Sequence, residues 1–273
     1  MRTLYVSDLD GTLLRSNERT SEYTNSVINR LTAQGMLFSY ATARSFHTAQ
    51  KVTAGMTAEI PLIVYNGAFV IDSATGERLL ENVFDGAVYA LLDDLFAHEI
   101  FPIVYAFADG QEKFSFVPEL CTRGMRLFLD SRKGDVRTRA VSNAQALCAG
   151  RIFYITCIDE PDRLLPLYEK YRGEFHCVYQ KDIYSGEQWL EIMPREATKA
   201  NAIRQLKKLF RCDRLVVFGD GQNDIDMFQL ADESYAVQNA NDELKQYATA
   251  VIPSNDEDGV ANWLEQHVPG EIK

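Results

Sequence analysis

The sequence has little that would tie it to a membrane, a nucleic acid or an oxidising compartment. No apolar run approaches the ~18 to 20 residues of a membrane span. The chain opens on strand-like residues, Arg2-Thr3-Leu4-Tyr5-Val6, without the charged segment, apolar stretch and cleavage site of a leader. No export signal is therefore expected, and the cytoplasm is the expected compartment. Basic residues are scarce: 28 Lys and Arg against 39 Asp and Glu give a net charge of −11. Such a chain repels nucleic acid and anionic membranes, so neither is expected as a partner, and an anionic substrate would have to meet locally placed cations. The five cysteines, at 121, 148, 157, 177 and 212, are odd in number, widely spaced and without a Cys-x-x-Cys pair. This argues against a disulfide framework or a zinc site. The four histidines show no ligand spacing, and no Gly-x-Ser-x-Gly nucleophile motif occurs.

The composition that remains is ordinary for a globular protein, with 46% hydrophobic and 25% charged residues over 273 positions. That length suits one domain with an insertion or two modest domains. The informative stretch is Val6-Ser7-Asp8-Leu9-Asp10-Gly11-Thr12-Leu13-Leu14, which closes an apolar run and reads as the C-terminal end of a first strand. Residues two apart on a strand can project together beyond the sheet edge, and Gly11 permits a tight turn there. Two crowded acids need a cation or a shared proton. Asp8 is thus a candidate nucleophile and metal ligand, and Asp10 a candidate general acid and base. An Asp-x-Asp pair by itself also occurs on polar turns and in metal-dependent glycosyltransferases, so the rest of the chain must decide.

A strand, helix, strand rhythm follows. Thr20-Ser21 can cap a helix carrying Val27, Ile28 and Leu31, Met36 to Ala41 is a buried strand ending at Thr42, and a helix over about 45–54 leads to a strand at 61–65 that stops at Asn66-Gly67. The order changes near Val83. A helix at 85–98, strands at 101–107 and 113–117, a strand at 151–158, a helix at 161–171 and strands at 175–180 and 189–193 read as an α+β module. Residues 84–187 are therefore expected to form an inserted domain, and 1–83 with 188–273 the core. After Pro194 the first rhythm resumes with a helix to Leu209, a buried strand ending at Gly219-Asp220-Gly221, a helix from Asp224 and two further strand and helix pairs. The expected class is α/β: a doubly wound, mainly parallel, Rossmann-like sheet interrupted once by an α+β cap.

In such sheets ligands bind beyond the carboxyl ends of the strands. Asp8 and Asp10, Thr42, Asn66, and Asp220, Asn223 and Asp224 all follow strands, and Lys199 opens a helix whose N-terminus can also face an anion. Several carboxylates with one lysine and one hydroxyl suit phosphoryl transfer through a hard cation, with Mg²⁺ expected. Taken singly, these residues have plainer roles. Asp220 and Asp224 equally suit a helix start, Thr42 a cap, Lys199 a solvated helix face, and Asn66-Gly67 a turn. In the insert, the basic stretch 131–139 could reach over the site toward an anionic substrate but reads first as a solvated loop, and Tyr184 and Trp189 read as core aromatics that could instead touch substrate.

Asp8-Leu9-Asp10-Gly11-Thr12-Leu13-Leu14, Thr42 with Arg44, Asn66-Gly67, Lys199 and Gly219-Asp220-Gly221-Gln222-Asn223-Asp224 together resemble the signature of the haloacid dehalogenase superfamily of phosphatases. The insert, with Gln238-Asn239-Ala240 and Asn255-Asp256-Glu257-Asp258-Gly259-Val260, resembles its Cof-like subfamily with a type II α/β cap. The resemblance implies an aspartyl-phosphate mechanism. Asp8 would attack phosphorus, Asp10 would protonate the leaving alcohol and then activate water, and Thr42 and Lys199 would bind the phosphoryl group. Asp8, Asp10, Asp220 and Asp224 would support Mg²⁺, with Arg44, Asn66, Gly67 and Asn223 on the substrate side. One departure stands out: the family's Thr-Gly-Arg is Thr42-Ala43-Arg44 here, and if that glycine serves a positive φ, Ala43 would be strained.

The expected activity is Mg²⁺-dependent hydrolysis of small phosphorylated metabolites, sugar phosphates first and flavin mononucleotide or pyridoxal phosphate next, with the insert as a specificity-setting lid. Two rivals differ in class. A phosphomutase or phosphotransferase would pass the same phosphoryl group to a sugar hydroxyl, and a non-catalytic metabolite-binding regulator would bind without turnover.

Overall fold

The computed structural model describes residues 2–57, 60–182 and 185–268. The chain divides into two compact units, Met1–Glu81 with Thr198–Lys273, and Asn82–Ala197. Tyr184, a candidate for touching substrate, lies outside the described residues.

The first unit alternates strand and helix: β1 (Thr3–Ser7), α1 (Glu22–Ala33), β2 (Leu37–Tyr40), α2 (Phe46–Val52), β3 (Pro61–Val64), β4 (Phe69–Asp72) and β5 (Arg78–Glu81). Strand β1 is buried from Leu4 onward, as expected of a strand covered on both faces. Ser21 caps α1 by accepting from Thr24 N. A bridge between Ala41 and Ile63 is the parallel link between the β2 edge and the antiparallel ribbon β3-β4-β5.

The second unit holds α3 (Ala87–Ala97), β6 (Ile103–Ala108), β7 (Gln111–Phe116), α4 (Arg123–Ser131), β8 (Thr138–Ala140), β9 (Arg151–Ile158), α5 (Pro161–Tyr171), β10 (His176–Lys181) and β11 (Gln188–Met193). Its sheet runs β10-β11-β9-β6-β7-β8. One face meets α3 and α5 through a core that includes Leu91, Leu95, Val104, Ile155, Leu164 and Ile192. Because β11 pairs antiparallel with both β9 and β10, it belongs to this sheet. The unit therefore runs past the expected end at 187, and it begins at Asn82 instead of 84. A short buried strand looks the same in sequence whichever sheet it joins. Helix α4 has no counterpart among the elements expected from sequence: its buried side is only Gly124, Met125 and Phe128, too short a stripe to display helical periodicity. The basic stretch after it is not simply solvated. Arg137 is 8% exposed and forks onto Asp135, with a further bond to Glu112 at 2.7 Å. Trp189 packs edge-on against Phe128.

The chain returns to the first unit through α6 (Lys199–Leu209), β12 (Arg214–Gly219), α7 (Ile225–Leu230), β13 (Glu233–Val237), α8 (Asp242–Lys245), β14 (Ala250–Ile252) and α9 (Gly259–His267). The five-stranded sheet is parallel throughout, in the order β14-β13-β12-β1-β2. Strands β1 and β12 lie side by side at its centre, so the loops leaving their carboxyl ends meet at the same edge. Among the described residues, no helix is long and apolar enough to cross a membrane.

Candidate active site

Asp8 comes directly after β1 and is tied to β12 by its own N–H, which donates to Phe218 O at 2.9 Å. The next residues form one wide turn, in which Leu14 N donates to Leu9 O. Gly11 makes that turn possible twice over: its φ is +77°, and a Cβ there would run into the Asp220 carboxylate. The first acid is thereby delivered beside the acids beyond β12.

Lys199 is the centre of the site. Its side chain is 1% exposed and its Nζ donates to Asp8 Oδ1 at 2.5 Å and to Asp224 Oδ1 at 2.7 Å. Thr198 caps the helix on which Lys199 sits, accepting from Asn201 N. Burial alone would lower the lysine pKa, but Asp224 and Asp8 on either side raise it, so the ammonium is charged. The other Asp224 oxygen accepts from Asp220 N and Gly221 N, both at 3.0 Å. Asp224 is therefore both a turn-capping acid and the lysine's second anchor. Gly219 leaves room for it, since a Cβ there would meet the Asp224 side chain at 2.6 to 2.9 Å. Asp220 is aimed by Thr12, whose Oγ1 donates to Asp220 Oδ1 at 2.9 Å. Asn223 lies half-buried in the same turn.

Asp8, Asp220 and Asp224 each present an oxygen within 4.8 Å of the other two. One ammonium serves this cluster of carboxylates, and the shortage of positive charge is visible in the acidities of Asp8 and Asp220. Burial first, and the neighbouring acids Asp224, Asp220 and Asp10 next, push Asp8 well above the carboxylate range despite Lys199. Burial and then Asp224 push Asp220 up to about 7 against the opposing pull of Thr12 and Lys199. An all-oxygen donor set that is short of positive charge fits a hard divalent cation.

Asp10 does not join these three. Its carboxyl is gripped by Arg44, with Nε to Oδ2 at 2.8 Å and Nη2 to Oδ1 at 2.6 Å. Arg44, expected on the substrate side, thus holds an acid of the site, and its Nη2 also reaches Glu18 at 3.2 Å. Thr42 is fully buried, and its hydroxyl accepts from Arg44 N at 3.0 Å. Its carbonyl accepts from Asn66 N at 2.8 Å, so Thr42 and Asn66 are joined. Ala43 is not among the residues of positive φ, and the strain that its departure from glycine raised does not arise. The left-handed backbone falls later, at Tyr65 (φ 51°), Asn66 (52°) and Gly67 (100°). Gly67 is required because a Cβ there would enter the Thr198 carbonyl that leads into Lys199.

The two C-terminal motifs hold the loop after β1 from outside. Asn239 donates to Gly11 O at 2.7 Å and Asn255 to Leu14 O at 2.8 Å. Asp256 takes both Ser16 N and Ser16 Oγ, at 2.8 and 2.6 Å, and Asp258 takes the Arg15 guanidinium. Thr12, Asn239, Asn255, Asp256 and Asp258 lie in the sequence motifs, yet sequence reasoning gives them no part in the site. The polar residues in those motifs are the available signal; their partners, some 200 positions away, are not visible in the sequence.

The family model for haloacid dehalogenase-like hydrolases matches residues 5–264. A 5-amino-6-(5-phospho-D-ribitylamino)uracil phosphatase of Bacillus subtilis is 27% identical, over 97% of each chain. An Escherichia coli protein of the same description is 26% identical over 96% of this chain and 95% of that one. A crystal structure from Thermotoga maritima superposes with a TM-score of 0.79 at 25% identity, over all of both chains. A haloacid dehalogenase-like hydrolase from Bacteroides thetaiotaomicron gives 0.78 at 22%, over 97% of this chain and 99% of that one.

Proposed function

The chain belongs to the haloacid dehalogenase-like hydrolases, and from that premise we propose that this phosphatase hydrolyses phosphate monoesters of small polyhydroxylated metabolites through a phosphorylated Asp8. The observation that carries the reading is the buried Lys199 ammonium bridging Asp8 and Asp224, with Asp220 within reach of both. Asp8, Asp220 and Asp224 would hold Mg²⁺, with a backbone carbonyl near Asp10 as a further donor. When bound, the cation supplies charge that lets a carboxylate approach a phosphate dianion.

An Asp8 oxygen attacks phosphorus and the bond from phosphorus to the ester oxygen breaks. Asp10 gives its proton to the departing alkoxide, which leaves as the alcohol. Water then attacks the same phosphorus while Asp10 takes its proton. The bond from phosphorus to Asp8 breaks, returning the carboxylate and releasing inorganic phosphate. Lys199 and the Thr42 hydroxyl hold phosphoryl oxygens and offset the charge that develops on them.

The substrate class is argued from the relatives. Two of them are named for a phosphate on a ribityl chain that carries a uracil ring. Sugar phosphates and heterocycles bearing a phosphorylated ribityl chain, flavin mononucleotide among them, therefore rank above pyridoxal phosphate. The test is phosphate release from 5-amino-6-(5-phosphoribitylamino)uracil, a panel of sugar phosphates, flavin mononucleotide and pyridoxal phosphate, with Mg²⁺ and with chelator. Chelator-sensitive release, greatest on the polyol phosphates, is expected. Transfer to a sugar hydroxyl without release would favour a mutase, and ligand binding without turnover a regulator.

A further inference from the structure

We propose that Glu18 is a positioning residue that aims Asp10 through Arg44, an inference that rests on the reaction proposed above. Arg44 Nη2 is shared between Asp10 at 2.6 Å and Glu18 at 3.2 Å, so one guanidinium is held between two carboxylates. A fork of this kind fixes the plane of the carboxyl it grips. Arg44 reaches its place from a fixed backbone, its N–H on the Thr42 hydroxyl and its carbonyl accepting from Tyr65 N.

An exposed glutamate paired with an arginine usually contributes little, because water screens the pair and two long side chains, more so on a loose loop, cost entropy to hold in one geometry. Glu18 is 46% exposed, yet its loop is held at every turn. Arg15 N donates to Arg19 O at 3.0 Å and Glu18 N to Arg15 O at 2.9 Å. Arg19 N donates to the Asn17 side chain at 3.1 Å. Asp256 holds both polar groups of Ser16, and Asp258 holds the Arg15 guanidinium. The Asn255–Val260 motif thus does more than hold Leu14: through Asp256 and Asp258 it fixes the loop that carries Glu18.

The backbone of Glu18 is left-handed, with a φ of +59°, so a variant that tests the side chain must suit that region.

The test compares Glu18→Asn, which suits the left-handed backbone but is too short to reach Arg44, with Glu18→Gln, which keeps the length without the charge. Two esters are used: an alkyl phosphate, whose alkoxide needs a proton to leave, and an aryl phosphate such as 4-nitrophenyl phosphate, whose phenolate does not. Because kcat/KM reports the step in which the ester bond breaks, Glu18→Asn is expected to lower it about 10-fold on the alkyl ester and less than about 2-fold on the aryl ester. Glu18→Gln should fall between. The melting temperature of Glu18→Asn should stay within about 2 °C of the unsubstituted protein, and the Mg²⁺ concentration for half-maximal rate should not move. Equal losses on both esters, a fall in melting temperature that accounts for them, or no loss on either would overturn the inference. Turnover of neither ester by the unsubstituted protein would overturn the phosphatase reading and this inference with it; normal turnover with an unchanged ester ratio in Glu18→Asn would overturn this inference alone.

Discussion

Two groups of charges grip the loop after β1, one from inside and one from outside, and they answer to opposite rules. Inside, Lys199 bonds Asp8 and Asp224, all three with almost no access to water, beside the half-buried Asp220, and Asp8 and Asp220 are pushed upward in pKa. Outside, Arg15 meets Asp258, and Ser16 meets Asp256. Burial pushes Asp258 up, but the bonds from Arg15, Ser21 and Thr24 outweigh it and leave the carboxyl lowered. The Asp256 carboxyl is lowered by Ser16, first through its hydroxyl and then through its N–H. The outer group is satisfied by the protein itself. The inner group is not, and buried acids left with too little positive charge are a standing cost unless a ligand relieves it. The unsatisfied group is accordingly where chemistry is expected, and the satisfied one is its scaffold.

The largest effect should come from Asp8→Asn. Phosphate release is expected to fall by roughly 10⁴-fold or more with the fold intact, because the amide is a poor nucleophile toward phosphorus. Acid-quenched turnover of the unsubstituted protein should leave a phosphoryl group on the peptide containing Asp8, read by mass spectrometry, and the variant should carry none. Lys199→Met comes next. It strands Asp8 and Asp224 in a dry site without their cation, so a stability loss of about 3–5 kcal/mol is expected by denaturant titration. Turnover measured in Mg²⁺ should drop by about 10²- to 10³-fold.

These side chains are legible in the sequence to different degrees, for physical reasons. Asp8, Asp220 and Asp224 can be placed because a parallel sheet sends its strand ends to one edge, and acids gathered there are conspicuous. Lys199 can be found because such acids require a cation, although nothing local separates it from a solvated helix lysine. The grip of Arg44 on Asp10 cannot be read, since a side chain's direction depends on the backbone around Thr42 and Tyr65. Nor can the outer clamp, whose bonds join residues 11–16 to residues 239–258. The parallel order of the core is implied by its repeating rhythm, whereas the membership of β11 depends on which strands it pairs with.

Smaller effects separate the two groups by pH. In chelator-treated protein Asp220 keeps its proton up to about 7, well above an exposed aspartate, so its contribution is complete below the ordinary carboxylate range and lost as pH rises through about 7. Metal-free Asp220→Asn should therefore gain in melting temperature over the unsubstituted protein as pH is raised from about 5 to about 8. The outer clamp runs the other way. The lowered Asp258 stabilises above the ordinary carboxylate range and ceases to do so as pH falls through its depressed pKa. Arg15→Ala should accordingly cost less than about 1 kcal/mol near neutrality and nothing in strong acid. Equal pH dependence of the two variants would erase the distinction between the groups.

The most direct test of the inner group is Mg²⁺ binding by isothermal titration calorimetry near pH 6 in two buffers of different ionisation enthalpy. Carboxyls that hold protons because their site lacks positive charge must release them when the cation enters. Net proton release on Mg²⁺ binding is predicted, reduced in Asp220→Asn. Binding with the same apparent enthalpy in both buffers, or no binding, would contradict the claim that Asp8 and Asp220 are held protonated for want of a cation.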